Sequence, residues 1–273
     1  MKHGRPRPPS RPHASPVVRA AGRSAREIEH VFGVRAAMAV VATAPARVMR
    51  VLASRDLPTA TVEQIRRARG LDATVNIVSG AELARACGSD LHEGLCLETA
   101  PREWTTAAAL IDHLARTRGT CVALDRVRNP YNIGAIIRSA AFFGVDAVLL
   151  GAQAPHPALA PLAVRVAEGG TEHVRLARTT DLADTLSKLR LKGVHVYAGE
   201  SGSSKSALGF AFARPAVLVM GNEREGLSER ILRHCDETVT IPGGGSSTGD
   251  VGSLNVSVAA SVLIAELRRP DLT

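Results

Sequence analysis

The sequence predicts an α/β protein in two parts, the second built on a parallel sheet covered on both faces by helices. Three observations carry that prediction. From residue 120 onward, short apolar runs alternate with amphipathic stretches of helical length, the signature of strand–helix–strand units. At 273 residues and 45% hydrophobic side chains, the chain has room for one large domain or two modest ones, each with a real core. Pro101 and the Ala-rich stretch after it separate a first α/β pattern from the second. With 3% aromatic residues, that core must be built mainly from Ala, Val, Leu and Ile.

Residues 1–26 come first, with Lys2, Arg5, Arg7, Arg11, Arg19, Arg23 and Arg26 and no acid. They hold most of the net charge of +8, so the remaining 247 residues sit near +1. Pro6, Pro8, Pro9, Pro12 and Pro16 leave the tail almost no large apolar side chain, so it is expected to be disordered. Such an arm either adds salt-sensitive contacts to phosphates or is simply solvated.

The first unit, 27–100, reads as a helix over 34–43, a strand over 47–52 and a helix over 61–69 stopped by Gly70. A strand over 75–78 follows, then a helix over 81–87 capped by Ser79, and a strand over 94–98. An Ala-rich helix from Trp104 to Arg118 links it, within 101–118, to the second unit, 119–273. There the strands are 120–124, 147–150, 174–177, 194–198, 216–220 and 238–241. The helices are 133–143, 162–168, 182–191, 228–234 and 254–267. Ligands of such folds sit at the carboxyl ends of the strands.

Several classes are excluded. No run of about 18 apolar residues exists to span a membrane, and no apolar segment follows the charged N-terminus as in a secretory signal. Cys87, Cys96, Cys121 and Cys235 lie far apart, which suits structural thiols in a reducing cytoplasm. His92, His113, His156, His173, His195 and His234 are scattered without ligand spacing, so no metal is expected. Gly199-Glu200-Ser201-Gly202-Ser203-Ser204-Lys205-Ser206 nearly spells a phosphate-binding loop, but Ser204 replaces the second glycine.

Three loops at strand ends hold the candidate chemistry. After Leu124, Asn132 stands where a helix N-cap would, and Arg138 lies six residues on among apolar neighbours, implying a buried or cleft-facing guanidinium. After Met220, Gly221-Asn222-Glu223-Arg224-Glu225-Gly226-Leu227-Ser228 sets a charged turn between two glycines. The first glycine lets a ligand approach the backbone, and Glu223 stands as an anchor at the strand end. After Ile241 and Pro242, a Gly/Ser-rich run leads to Ser253-Leu254-Asn255 at the start of the last helix. Ser253 there is either a cap or a ligand-facing group.

Together and in this order, Asn132-x-Gly134-x-x-x-Arg138, Gly221-x-Glu223-x-x-Gly226-Leu227-Ser228 and Ser253-Leu254-Asn255-Val256-Ser257 resemble the three motifs of the SpoU (TrmH-like) branch of the SPOUT methyltransferases. Ala167-Glu168-Gly169-Gly170-Thr171-Glu172-His173 is similar to the family's connecting element. Val31-Phe32-Gly33 and His92-Glu93-Gly94 resemble its small ribosomal-protein-like substrate-binding domain. Asn129-Pro130 departs from the family's Asp-Pro, and the ten residues between Pro242 and Ser253 are more than its usual loop.

The resemblance implies a C-terminal trefoil knot, a homodimer, S-adenosylmethionine as cofactor and an rRNA or tRNA substrate methylated on a ribose 2′-hydroxyl. A base methyltransferase and a non-catalytic RNA-binding or ribosome-assembly protein are the alternatives. It also assigns Arg138, Asn132, Glu223, Ser253 and Asn255 to catalysis. Met220, Gly221, Asn222, Gly226, Ile241, Ser253 and Leu254 fall to the cofactor.

Overall fold

The computed structural model describes residues 28–151, 159–243 and 252–272. The basic tail and most of the Gly/Ser run lie outside the described residues. The first part comprises β1 (Glu29–Phe32), α1 (Val34–Thr43), β2 (Val48–Ser54), α2 (Thr59–Arg66), β3 (Val75–Val78), α3 (Gly80–Cys87) and β4 (Leu95–Thr99). Its sheet runs β1-β4-β2-β3, with β4 antiparallel to both neighbours and β2 parallel to β3. Strand β1 was not expected. Four residues beside a charged tail carry no readable period, and their pairing with β4 defines them. Ser79 caps α3 as expected, in a reciprocal pair with Glu82. Its backbone and hydroxyl bonds hold the Glu82 carboxyl below its usual range. Helix α2 ends at Arg66, and Gly70 takes its positive φ of 80° three residues beyond the cap.

The second part comprises α4 (Ala107–Thr117), β5 (Thr120–Asp125), α5 (Pro130–Phe142), β6 (Ala147–Gly151), α6 (Pro161–Val166), β7 (Arg175–Thr179) and α7 (Leu182–Leu191). Then follow β8 (His195–Gly199), β9 (Ala216–Met220), α8 (Glu229–Leu232), β10 (Glu237–Val239) and α9 (Val256–Arg268). All pairings are parallel, in the order β10-β8-β9-β5-β6-β7. Alternation along the strands divides the core. Val122, Leu124, Leu218 and Met220 cluster with Ile136 and Ile137 of α5 and Leu263 and Ile264 of α9. Cys121, Ala123, Val217 and Val219 face Leu110 and Leu114 of α4 and Leu186 and Leu189 of α7. The sheet is therefore buried on both faces, as its Val/Leu/Ala runs require.

The Ala-rich helix starts at Ala107, three residues later than its composition suggests. Thr106 caps it, and Thr105 instead donates its N–H to Leu176 O at 2.9 Å, extending the edge of β7. Burial pushes the Cys121 thiol up and holds that of Cys235 at about 12. Both are expected to resist alkylation of the native protein at neutral pH, read by thiol titration before and after unfolding.

The two parts meet at a buried ring of charge. Arg47 reaches Glu29 at 3.0 Å and Glu172 at 3.3 Å, while Arg102 lies 3.5 Å from Glu29 and 3.4 Å from Glu172. The Glu172 and Arg102 side chains are 7% and 6% exposed. Removing one member strands its partners in a medium that cannot hydrate them. Glu172→Ala is therefore expected to cost about 3–5 kcal/mol in urea unfolding. Arg67→Ala, which breaks the exposed pair with Glu63, should cost under about 0.5 kcal/mol.

Candidate active site

Three strands deliver the three loops to one end of the parallel sheet. Helix α5 begins earlier than expected because Asn129 is its cap, accepting from Tyr131 N at 2.9 Å with Pro130 in the first turn. Asn132 is thus not the N-cap. It lies inside the first turn, 7% exposed, with its side chain free to reach across. Its Nδ2 donates to Glu223 Oε1, and its Oδ1 accepts from Asn255 Nδ2 at 3.2 Å. Asn255, not Ser253, caps α9, accepting from Ser257 N at 2.9 Å and Ser257 Oγ at 2.6 Å. One residue from each loop is joined through Asn132.

A second set of bonds fixes the first loop to the second. Arg126 follows β5 with φ of +58°. Its guanidinium contacts Asp125 at 3.2 Å, Gly226 O at 3.1 Å and the Glu225 carboxylate, while its carbonyl accepts from Asn222 Nδ2 at 3.2 Å. Gly226 N donates to Asn222 O at 2.9 Å, closing the turn. The turn is so tight that a Cβ on Gly221 would stand 2.4 Å from the Gly226 carbonyl carbon. Sequence reasoning missed Arg126 and Glu225, because nothing in a single sequence marks a positive-φ arginine.

The turn walls a cavity of about 650 Å³ at the ends of β8, β9 and β10. That volume falls within the roughly 300–1,000 Å³ of small-molecule sites. All seven residues expected to meet a cofactor line it: Met220, Gly221, Asn222, Gly226, Ile241, Ser253 and Leu254. So does Glu223. Val256, Ala259 and Leu263 of α9 add apolar wall, and Glu200, Ser201 and Gly202 close another side. Those three belong to the segment that resembles a phosphate loop. Its Lys205 is paired with Glu237, and no helix follows, so its place is in the wall of this pocket. Its position after β8 was the available signal.

Arg138 stands apart from the other four residues expected in catalysis. Asn132, Ile133, Ile136, Ile137 and Ala140 face inward from α5, which turns Tyr131, Arg138 and Phe142 outward. The Arg138 side chain is 53% exposed, not buried, and pairs with Glu168 at 2.9 Å. Among the described residues no cluster of His, Cys, Asp and Glu could hold a metal ion, and no helix is long and apolar enough to cross a membrane.

A parallel sheet with a mixed polar and apolar pocket at its strand ends and a polar cluster at the rim has the architecture of an α/β domain that binds a small molecule. The chain belongs to the SpoU rRNA methylase family, whose model matches residues 119–265. It is 32% identical to a protein of Mycobacterium avium named an uncharacterized tRNA/rRNA methyltransferase, over 98% of this chain and 85% of that one. With YfiF of Escherichia coli O157:H7, also named an uncharacterized tRNA/rRNA methyltransferase, it shares 31% identity over 91% and 70%. Among solved structures, the AdoMet-bound rRNA methyltransferase of Sinorhizobium meliloti is 25% identical with a TM-score of 0.69, covering 89% of this chain and 88% of that one. The SpoU methyltransferase AviRb of Streptomyces viridochromogenes, in complex with AdoMet, shares the fold at 24% identity and a TM-score of 0.72, covering 90% and 91%. This chain is an RNA methyltransferase of that family, and SpoU methylases use S-adenosylmethionine.

Proposed function

We infer that the chain methylates a ribose 2′-hydroxyl of rRNA or tRNA, with S-adenosylmethionine in the pocket at the ends of β8, β9 and β10. The observation that carries this reading is the Glu223–Asn132–Asn255 chain of side chains at the pocket rim. The pocket suits the cofactor. Met220, Ile241 and Leu254 give apolar surface for a flat base, the glycines admit close backbone contact, and the Glu200 and Glu223 carboxylates complement a cationic ligand. Bound there, the cofactor supplies a methyl group on a positively charged sulfur.

The remaining work falls to the chain's own side chains. Asn132, itself held by Asn255, keeps Glu223 in place, and Ser253 stands exposed at the mouth, able to meet the nucleotide. Arg138 holds the phosphate beside the target ribose. A guanidinium keeps its proton in water and is a poor base, so holding the phosphate is the cheaper role. Alignment of the two reactants supplies much of the acceleration.

The active form is a homodimer. Tyr131, Arg138 and Phe142 form an exposed stripe on α5; Leu254, just before α9, and Val258 on α9 are exposed too, and a second copy packed over these residues brings Arg138 to the neighbouring rim. Residues 27–100 bind the RNA, 101–118 link them to the rest, and 119–273 carry the methyl transfer. Family membership, together with the return of α9 from edge strand β10 to pack against α5, supports a trefoil knot in that second unit. The test is to incubate the protein with S-adenosylmethionine and total rRNA or tRNA from a deletion strain, then digest and weigh the nucleosides. A new 2′-O-methyl nucleoside is expected. A methylated base overturns the ribose assignment, and no cofactor binding by calorimetry at millimolar concentration overturns the catalytic one.

A further inference from the structure

At the junction of the two parts, a single carboxylate oxygen serves two arginines. Glu168 Oε2 lies 2.6 Å from Arg35 on α1 and 2.9 Å from Arg138 on α5. Neither arginine has another acidic partner among the described residues. Both arginine side chains are more than half exposed, whereas that of Glu168 is only 27% exposed. A neighbouring cavity of about 400 Å³ is lined by Arg35, Glu93, Arg165 and Glu168. Arg165 is already committed there, to Glu93 and to Leu91 O at 2.8 Å.

The backbone places Glu168 at a cost. Its φ is +46°, a left-handed conformation unfavourable for a residue with a Cβ. The next residue, Gly169, has φ of +93°, and a Cβ on it would stand 2.7 Å from Ala39 Cβ of α1. A Cβ on Gly170 would stand 3.1 Å from Arg138 Cα. The turn is wedged between a helix of each unit, with its carboxylate aimed at one arginine from each. Partly exposed ion pairs add little stability. A strained backbone that delivers one therefore points to function.

We propose that Arg35 and Arg138 form a two-armed phosphodiester site straddling the two units, with Glu168 as the resident counter-ion that the RNA backbone displaces. The proposal rests on RNA being the substrate. A phosphodiester carries the same single negative charge as the carboxylate, with two non-bridging oxygens to share between the guanidinium groups. The exchange is therefore neutral in charge. Only an RNA that reaches both units releases Arg138, so engagement by the first unit is coupled to positioning in the second. Glu168 is a positioning residue in this scheme and touches neither substrate nor cofactor.

The test measures binding of a fluorescein-labelled, mixed-sequence single-stranded RNA to the full chain as a function of NaCl concentration. Glu168→Gln removes the resident charge and should tighten binding about threefold to tenfold, as expected when two partly exposed ion pairs no longer compete. Glu168→Gly, which accepts positive φ, should do the same and guards against a folding artefact. Arg35→Gln should weaken binding and lower the log–log salt slope by about 0.7, the share of one phosphate on a single strand. In the Glu168→Gln background, Arg35→Gln should lose more affinity than it does in the wild type. A merely structural role would change thermal stability and leave the salt slope alone. Unchanged affinity in both Glu168 variants, or an unchanged slope in Arg35→Gln, overturns the phosphodiester site and leaves the RNA reading standing. A wild-type chain that binds no RNA overturns both.

Discussion

Asn132→Ala is expected to lower the rate of methyl transfer by about 100- to 1,000-fold, the usual cost of removing one preorganised polar group from an active site. The side chain is buried and both ends of its amide are used, one by Glu223 and one by Asn255. Alanine cuts the link among all three loops at once. Because Asn132 does not line the cavity proposed for the cofactor, the affinity for S-adenosylmethionine should change less than threefold, as read by calorimetry. A rate within tenfold of wild type, with the fold intact by circular dichroism, would show that the cluster is only structural. Asn132→Asp adds a sharper reading. It sets a carboxylate against that of Glu223, and like charges raise the pKa of such a pair. Below the raised value the two share a proton and regain a bond resembling the original. Above it they repel. The activity of Asn132→Asp should therefore recover as pH is lowered from neutral, while the wild type gains nothing from the same change.

The parallel sheet and its covering helices were legible because their signals are local. Strand β9 is an unbroken apolar run from Ala216 to Met220, and α7 matches its period from Leu182 to Leu191. The seven residues that the family resemblance assigns to a cofactor all line the cavity, because the motifs that carry the resemblance fall at strand ends. What failed was orientation. Reading Arg138 as buried or cleft-facing followed from its apolar neighbours in sequence, but a helix turns about 100° per residue and sets it on the outer face. The expected cap of α5 lies three residues too late, because Asn132 is a good cap residue by type while Pro130, at the first helical position, marks Asn129. The bond from Tyr131 N to the Asn129 side chain settles the cap. Glu168 lay within a recognised segment, yet its link to Arg35 spans 133 positions and no local pattern encodes it.

The largest effect on cofactor binding is expected from the smallest change, Gly221→Ala. An added Cβ would stand 2.4 Å from Gly226 C, 2.6 Å from Gly226 O and 2.6 Å from Leu227 N. All three are backbone atoms, so no side-chain rotamer can relieve the overlap. The turn must open instead, and it is held by Gly226 N to Asn222 O and by the Arg126 bridge to Gly226 O. Opening it moves Asn222, Glu223 and Gly226 together, and with them one wall of the cavity. Calorimetry with S-adenosylmethionine should show a loss of at least about thirtyfold in affinity, which is about 2 kcal/mol. Gly243→Ala is the control, since Gly243 lines the same cavity with no atom within 4 Å of the added carbon. Its affinity should stay within about twofold of the wild type, well under 1 kcal/mol. Equal losses in the two variants would mean that the pocket wall tolerates displacement and that the tight Gly221–Gly226 turn is not what shapes the site. A loss confined to Gly221→Ala ties cofactor affinity to one backbone contact, made possible by the absence of a single carbon.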